Sequence, residues 1–316
     1  MKILFTGASS FTGCWFVNAL ARDGHQVLAA LRGNPASYEG SRKTRVQQLE
    51  RVCEMVPNVS FGTEAFQQWL QKGGPWDLLC HHAAEAGNYK SPDFDIHGAT
   101  LANTLNLRAV LQQFKAAGGK VVLLTGSVFE NDEGAGDGSM RAFSGYGLSK
   151  GLTWQVFRYY CEEAGVRLGK FVIPNPFGPL EEPRFTSYLM KTWKQGQVAA
   201  VKTPDYVRDN IPVDLLTSVY VHFARHLVTE EGSRFKINPS CYVESQGAFA
   251  ERLAREVRAR TGWACKLDLK KQEDFSEPMR RTNTDPAREM VPAWNEAEAW
   301  DRFTEYYAQS ETSRFQ

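Results

Sequence analysis

Tyr146 and Lys150 stand four residues apart in the run Tyr146-Gly147-Leu148-Ser149-Lys150. On a helix that spacing puts both side chains on one face. A phenol with an ordinary pKa near ~10 neither gives nor takes a proton readily at neutral pH. A lysine ammonium one turn away stabilises the phenolate and draws that pKa toward the working range, so the pair can act as an acid/base. Twenty-one residues before Tyr146 comes Thr125, with Ser127 two further on, at the end of an apolar run. Either hydroxyl can hydrogen-bond a substrate oxygen and turn it toward Tyr146. A Tyr-x-x-x-Lys alone is common on helix surfaces. Its weight here comes from agreement with an independent feature at the other end of the chain.

That feature is Thr6-Gly7-Ala8-Ser9-Ser10-Phe11-Thr12-Gly13, which follows an apolar run and opens an amphipathic one. A strand–glycine loop–helix junction aims free N–H groups and the positive helix end at an anion, here a pyrophosphate. Gly7 permits the tight turn, and Gly13 lets the helix lie close on the sheet. Ser10 stands where a three-glycine pattern would have its middle glycine, and its hydroxyl is a further donor to the phosphate. An acid at the end of the second strand would bind the adenosine ribose hydroxyls and favour NAD. That position reads Ala30-Leu31-Arg32. Arg32 is placed to fork onto a 2′-phosphate, with Arg42 and Lys43 adding charge, so NADP(H) is favoured and NAD(H) is the alternative. The competing reading of Arg32 is a solvated turn residue.

The elements that must position these groups read as an α/β doubly wound parallel sheet. Strands are expected at Lys2–Thr6, Gln26–Leu31, Asn58–Gly62, Asp77–His82, Lys120–Thr125 and Leu168–Ile173. Helices are expected at Thr12–Arg22, Ala99–Ala117 and Tyr146–Glu163. Val121-Val122-Leu123-Leu124 shows no alternation, so both faces of that strand must be covered. Pro174, Pro176, Pro179 and Pro183 then crowd one short stretch, and the texture changes. Helical segments at Ser187–Gln195, Val213–Val228, Gln246–Thr261 and Glu296–Ala308 alternate with short strands. This gives a dinucleotide-binding lobe over 1–174 and a smaller mixed α/β substrate lobe over 175–316, with chain exchange between them allowed. Ligands of such sheets bind at the carboxyl ends of the strands.

The 316 residues are enough for a core without disulfides or metals. Lys plus Arg number 37 against 36 Asp plus Glu, a net charge of +1 that offers no field for nucleic acid or an anionic membrane. No apolar run approaches a membrane span, and the apolar start is too short for a signal peptide, which leaves a cytoplasmic enzyme as the expectation. The six cysteines are scattered and read as buried thiols. His222 and His226 have helical spacing but no acid or thiol completing a site, so no metal is expected.

Thr6–Gly13, His82-Ala83-Ala84, Leu124–Phe129 and Tyr146–Lys150 together resemble the extended short-chain dehydrogenase/reductase family, and within it the nucleotide-sugar epimerases, dehydratases and 4-ketoreductases. Pro174–Pro179, Val207–Asp214 and Thr284–Arg288 resemble its later motifs, so the likeness spans nearly the whole chain. The resemblance implies that Gly7, Ser9, Ser10, Phe11 and Thr12 hold the pyrophosphate, and that Ala83, Ala84, Thr63 and Pro174 line the cofactor cleft. It implies Lys150 on the nicotinamide ribose, Tyr146 as acid/base, and the catalytic hydroxyl at Thr125, with Ser127 as runner-up. Substrate contacts fall on Glu85, Thr125, Tyr146, Asn175 and Arg208, with Arg184 a weaker candidate; the alternative for Arg208 is an interlobe salt bridge. A homodimer through the helices at 99–117 and 146–163 is implied as well, with Leu105, Val110, Trp154, Phe157 and Tyr160 on or near them.

Departures matter. Thr63 stands where the family has Asp, so the adenine end is recognised differently. Gly126-Ser127 replaces the dehydratases' Asp-Glu pair, which argues against water elimination. The acidic, glycine-rich loop Glu130–Ser144 reads as an active-site lid, with a solvated turn as the competing reading. The function expected is an NADP(H)-dependent reductase of a keto group on a nucleotide-linked sugar. The alternatives are a nucleotide-sugar epimerase that retains its NAD(P), a reductase of a non-sugar ketone or aldehyde, which loss of a diphosphate contact by Arg208 would favour, and a non-enzymatic NADP-sensing module.

Overall fold

The computed structural model describes residues 1–230, 235–272 and 277–310. The chain begins β1 (Lys2–Thr6), α1 (Phe11–Arg22), β2 (Gln26–Ala30), α2 (Gly40–Leu49), β3 (Glu54–Val56), α3 (Glu64–Gly73), β4 (Leu78–His81), α4 (Ile96–Asn103) and α5 (Leu107–Ala116). It continues through β5 (Val121–Ser127), β6 (Ala135–Gly136), α6 (Gly145–Ala164), β7 (Arg167–Ile173), β8 (Asn175–Phe177), α7 (Phe185–Lys194), β9 (Ala199–Val201), β10 (Val207–Pro212) and α8 (Val213–Thr229). It closes with β11 (Lys236–Ile237), β12 (Pro239–Ser240), β13 (Tyr242–Ser245), α9 (Gln246–Thr261), β14 (Leu267–Leu269), β15 (Arg281–Thr282), β16 (Asp285–Pro286), α10 (Ala287–Met290) and α11 (Glu296–Gln309).

Seven strands form one parallel sheet in the order β11-β7-β5-β4-β1-β2-β3. The order reverses at β1, which has β2 on one side and β4 on the other. That switch point opens the crevice in which such sheets bind ligands. Alternate residues of β5 feed two separate cores. Val121 and Leu123 pack with Phe16, Val17 and Leu20 of α1 and with Leu215, Val219 and Phe223 of α8. Val122 and Leu124 pack with Phe66 of α3, Phe114 of α5 and Phe157 of α6. Each such side chain contributes about 1.5–3 kcal/mol on burial, which is why the apolar run of β5 shows no alternation. A third core gathers Phe177, Trp193, Phe249, Trp300 and Phe303 around the small sheet β13-β10-β8. Two elements beyond residue 174, α8 and β11, belong to the large sheet and its cover.

The structure corrects three expectations. The third strand lies at β3 rather than at 58–62, because Asn58 and Gly62 both take positive φ and break the extended run. The single helix expected over 99–117 is two helices. Asn106 sits in the left-handed region at φ 50° between them, and its side-chain amide donates to Gly62 O at 2.9 Å. The loop after β5 is not a loose lid. Its Glu130 and Glu133 are buried, and β6 within it pairs with β15.

Candidate active site

The first loop has the geometry an anion needs. Gly7 takes φ +82°, and a Cβ there would lie 2.6 Å from the backbone nitrogen of Ala83, so only glycine closes this turn. Ser10 caps α1: its hydroxyl accepts from Gly13 N at 3.1 Å and donates to Gly7 O at 2.9 Å. The serine proton therefore goes inward, and the anion site is left to the helix N-terminus around Phe11 and Thr12. Ser9 O accepts from Nε of Arg45, which is buried on α2 and also donates to Leu180 O at 2.8 Å and to Glu182. This cation ties the loop to the segment before α7. Ala83 and Ala84 follow β4 at the switch point, and Ala83 N donates to Thr6 Oγ1. A turn that excludes a Cβ, a helix start and two alanines opposite it fit a dinucleotide. Arg32 follows β2 and pairs with Glu85 across the crevice at 3.1 Å; the two side chains are 63% and 42% exposed. Thr63 caps α3, its hydroxyl accepting from Phe66 N and donating to Ser60 O. Pro174 is the link from β7 to β8.

The catalytic candidates gather where β5 meets α6. Ser144 caps α6, placing Tyr146 and Lys150 in its first two turns. Lys150 is buried, and its Nζ donates to the Thr125 carbonyl at 2.5 Å. Burial pulls its ammonium down to about 8, with Lys170 adding to this and Glu130 opposing it. Tyr146 is half-buried, its ring edge-on to Tyr89 and Phe94. Burial pushes its phenol up to about 12; Glu130 and Tyr89 push the same way, and Arg184 is the cation that pulls it down. Tyr146 is thus protonated at neutral pH, able to give a proton. Lys150 instead commits its ammonium to the end of β5, holding helix and strand together.

The two hydroxyls differ. His82 stands between β4 and the first loop, its Nδ1 2.9 Å from Thr125 Oγ1 and its Nε2 3.0 Å from Ser10 Oγ and 3.1 Å from Thr12 Oγ1. Burial and the neighbouring Lys150 pull its pKa down to about 3, so the ring is neutral. Ser10 already donates to Gly7, so it must accept from His82 Nε2–H. Nδ1 is then bare and accepts the Thr125 proton. Ser127 accepts from Phe129 N at 3.2 Å, which leaves its own proton for another acceptor. Sequence reasoning placed His82 at a strand end and in the motif His82-Ala83-Ala84 but gave it no role of its own. The signal was a second polar residue after Leu78-Leu79-Cys80-His81, beside a loop of hydroxyls.

Across the crevice, Asn175 begins β8, half-buried and paired in register with Asn210. Arg184 caps α7 and is exposed on the side of Tyr146. Arg208 is buried: it donates to Glu277 at 2.9 Å and to Val207 O and Pro278 O, and it stacks on Tyr206 and Phe143. The structure therefore sets Arg184 toward the catalytic tyrosine and pairs Arg208 with Glu277 of its own lobe while stacking it on Phe143 of the first.

Behind the catalytic residues lies a buried charge cluster that sequence reasoning missed. Lys170 on β7 donates to Glu130 at 2.5 Å and to Glu133 at 2.6 Å. Glu133 also accepts from Lys236 and Asn238. Arg281 on β15, equally buried, donates to the carbonyls of Glu130, Glu133, Ser139 and Arg141. These bonds pin the loop expected to be a lid. The available signal was a lone lysine in the apolar strand Leu168–Ile173, since a charge between two covered faces must be paired. Among the described residues no three His, Cys, Asp or Glu side chains gather as a metal site, and no helix is long and apolar enough to cross a membrane.

No curated protein sequence is significantly similar to this chain. Solved structures match over almost its whole length. UDP-glucose 4-epimerase of Thermotoga maritima, solved with UDP-glucose, is 18% identical at a TM-score of 0.73, covering 97% of this chain and 98% of its own. UDP-glucuronic acid 4-epimerase of Bacillus cereus, in complex with UDP-glucuronic acid and NAD, is 18% identical at a TM-score of 0.74, covering 98% and 99%. At such identity the likeness establishes the fold. The model of the NAD dependent epimerase/dehydratase family matches residues 3–237, spanning the phosphate loop, the Tyr-Lys helix and the whole seven-stranded sheet. The chain belongs to that family, as an enzyme of the extended short-chain dehydrogenase/reductase type.

Proposed function

We propose that this enzyme epimerises a hydroxyl-bearing carbon of a nucleotide-linked sugar through a transient ketone. This reverses the order of the two leading sequence expectations, epimerase now ahead of one-way reductase. The observation that carries it is the bond from Lys150, on the helix of Tyr146, to the Thr125 carbonyl in the strand that Ser127 ends, in a chain that matches sugar-nucleotide 4-epimerases from end to end. Bound in the crevice, a nicotinamide dinucleotide supplies hydride acceptance and return. Gly7, Ser9, Ser10, Phe11, Thr12 and Gly13 would hold its pyrophosphate, with Ala83, Ala84 and Pro174 beside it and Lys150 near its ribose. Tyr146, once its own proton has left to solvent, takes the proton of the sugar hydroxyl as a phenolate and gives it back to the alkoxide. Ser127, whose proton is uncommitted, orients the substrate oxygen, while Thr125 is held by His82. Arg184 and Asn175 face the substrate's anionic part.

The cofactor reading favours NADP(H). Arg32 occupies the end of β2 where a ribose-binding acid would sit, and its exposed ion pair with Glu85 is cheap to exchange for a phosphate. A homodimer is supported by Leu101 on α4 and Leu148, Leu152 and Tyr159 on α6, all exposed apolar residues on adjacent helices. Of the residues expected there, Val110 and Phe157 face the core, and Leu105, Trp154 and Tyr160 are half-buried.

One observation favours a second reading. Arg208, which the family resemblance places on the diphosphate, already holds Glu277, as it would in a reductase of a ketone or aldehyde without a nucleotide. Proton NMR of UDP-glucose and UDP-glucuronic acid incubated with enzyme and a trace of NAD or NADP decides between them. Signals of the C4 epimer support the proposal. No epimer, together with no calorimetric binding of UDP, overturns it in favour of the second reading.

A further inference from the structure

The turn that ends β5 carries a carboxylate in an unusual place. Glu130 Oε1 accepts the Ser127 N–H at 2.7 Å, and Glu130 N–H donates to the Ser127 carbonyl at 3.1 Å. The two residues therefore hold each other from both sides. The other oxygen, Oε2, accepts from Lys170, whose ammonium also holds Glu133. Space has been kept for this arrangement: a Cβ at Gly126 would lie 2.6 Å from Lys170 Cε and 3.0 Å from Glu130 Oε1. Lys170 also lies 4.9 Å from the Trp154 ring centroid, which fixes it from the α6 side. An ion pair at this depth is a poor source of stability by itself, since desolvation offsets most of its attraction. Geometric specificity is the better account of why it is there. We propose that Glu130, held by Lys170, is a positioning residue that sets Ser127 and its hydroxyl against the substrate oxygen beside Tyr146. Glu133 and Arg281 do a different job, anchoring the loop. The inference rests on the reading of Ser127 given above.

Glu130 also acts through its charge. The groups facing Tyr146 are Glu130 from the β5 turn, Arg184 from the head of α7 and Tyr89 from the segment after β4; burial keeps the phenol protonated, and Glu130 adds to it. A residue that merely anchored the loop would leave no trace on Tyr146. The test uses the full chain labelled with 15N and with 13Cζ-tyrosine, the Tyr146 signal being assigned by Tyr146→Phe. Glu130→Gln keeps an acceptor for Ser127 N–H but not the charge. It should lower the ionisation midpoint of Tyr146 by about one pH unit and shift the Ser127 amide only slightly. Glu130→Ala should move both, and should lower kcat on UDP-glucose about tenfold with KM within about threefold, Glu130→Gln recovering most of that loss. Glu133→Gln should leave Tyr146, Ser127 and kcat unchanged. Identical Tyr146 titrations and Ser127 shifts in wild type and Glu130→Gln, or equal effects from Glu133→Gln, would overturn the inference. If Glu130→Ala does not fold, the glutamine variant decides alone. Should UDP-glucose not turn over at all, the function proposed above fails, while the spectra still judge Glu130.

Discussion

Replacing Lys170 by methionine removes one positive charge and leaves a side chain of similar length between two buried carboxylates. Glu133 retains Lys236 and Asn238, so Glu130 bears most of the loss. Removing one partner of a buried pair costs about 3–5 kcal/mol, because the remaining charge stays desolvated. At about 2–4 °C per kcal/mol for chains of this order, the melting temperature should fall by roughly 6–20 °C. The pH dependence is more telling than the size. In the wild type, burial pushes Glu133 up, but Lys170, Asn238 and Lys236 outweigh it and hold the carboxyl below its usual value. A depressed folded pKa gives stability that is present above the unfolded pKa and lost as pH falls through the folded one. In Lys170→Met the cation is gone and burial still raises the Glu133 carboxyl, so protonation relieves the variant. Its deficit should be largest near pH 7–8 and shrink toward pH 5. Urea unfolding of both proteins across that range measures it. Adding Glu130→Gln and Glu133→Gln should recover much of the loss at pH 7, since neutral groups need no counter-ion. A deficit that is constant with pH, or below about 1 kcal/mol throughout, would refute this account of the cluster.

Arg32→Ala should weaken NADPH. A charge-assisted fork contributes about 1.5–3 kcal/mol and the exposed pair with Glu85 offsets up to about 1, giving roughly two- to a hundredfold in Kd by calorimetry, with NADH unchanged. Glu85→Gln should strengthen NADPH by freeing that guanidinium; equal loss of both cofactors in Arg32→Ala would remove the NADP preference. In sedimentation at micromolar concentration the protein should be a dimer, and Leu152→Glu with Tyr159→Glu should give a monomer; a monomeric wild type contradicts the α4–α6 interface.

Much of this arrangement is legible in the residues. The bare glycine at position 7, the four-residue spacing of Tyr146 and Lys150 and the unbroken apolar run of β5 each answer to one dominant force. They fix the sheet, the anion loop and the catalytic helix. The failures arise where long-range contacts override local pattern. Asn106 looks like an ordinary helical residue until Gly62 O, 44 positions away, draws it into the left-handed region. The loop Glu130–Ser144 looks mobile because its glycines and acids suit solvent. Its partners, Lys170 and Arg281, come from distant strands. Arg208 and Glu277 likewise meet only in the folded lobe, and no spacing reveals that the arginine is already engaged. Thr125 and Ser127 are chemically alike in sequence, and only His82 distinguishes them.

The central claim is that Tyr146 carries the proton in a nicotinamide-dependent reaction on a sugar nucleotide. Tyr146→Phe tests it most directly, measured as UDP-glucose epimerisation by NMR beside calorimetric binding of NAD and NADP. Phenylalanine keeps the ring between Tyr89 and Phe94 and removes only the proton, so turnover should fall by at least about a hundredfold while cofactor affinity stays within about twofold. Near wild-type turnover in a variant that still binds cofactor would contradict the account.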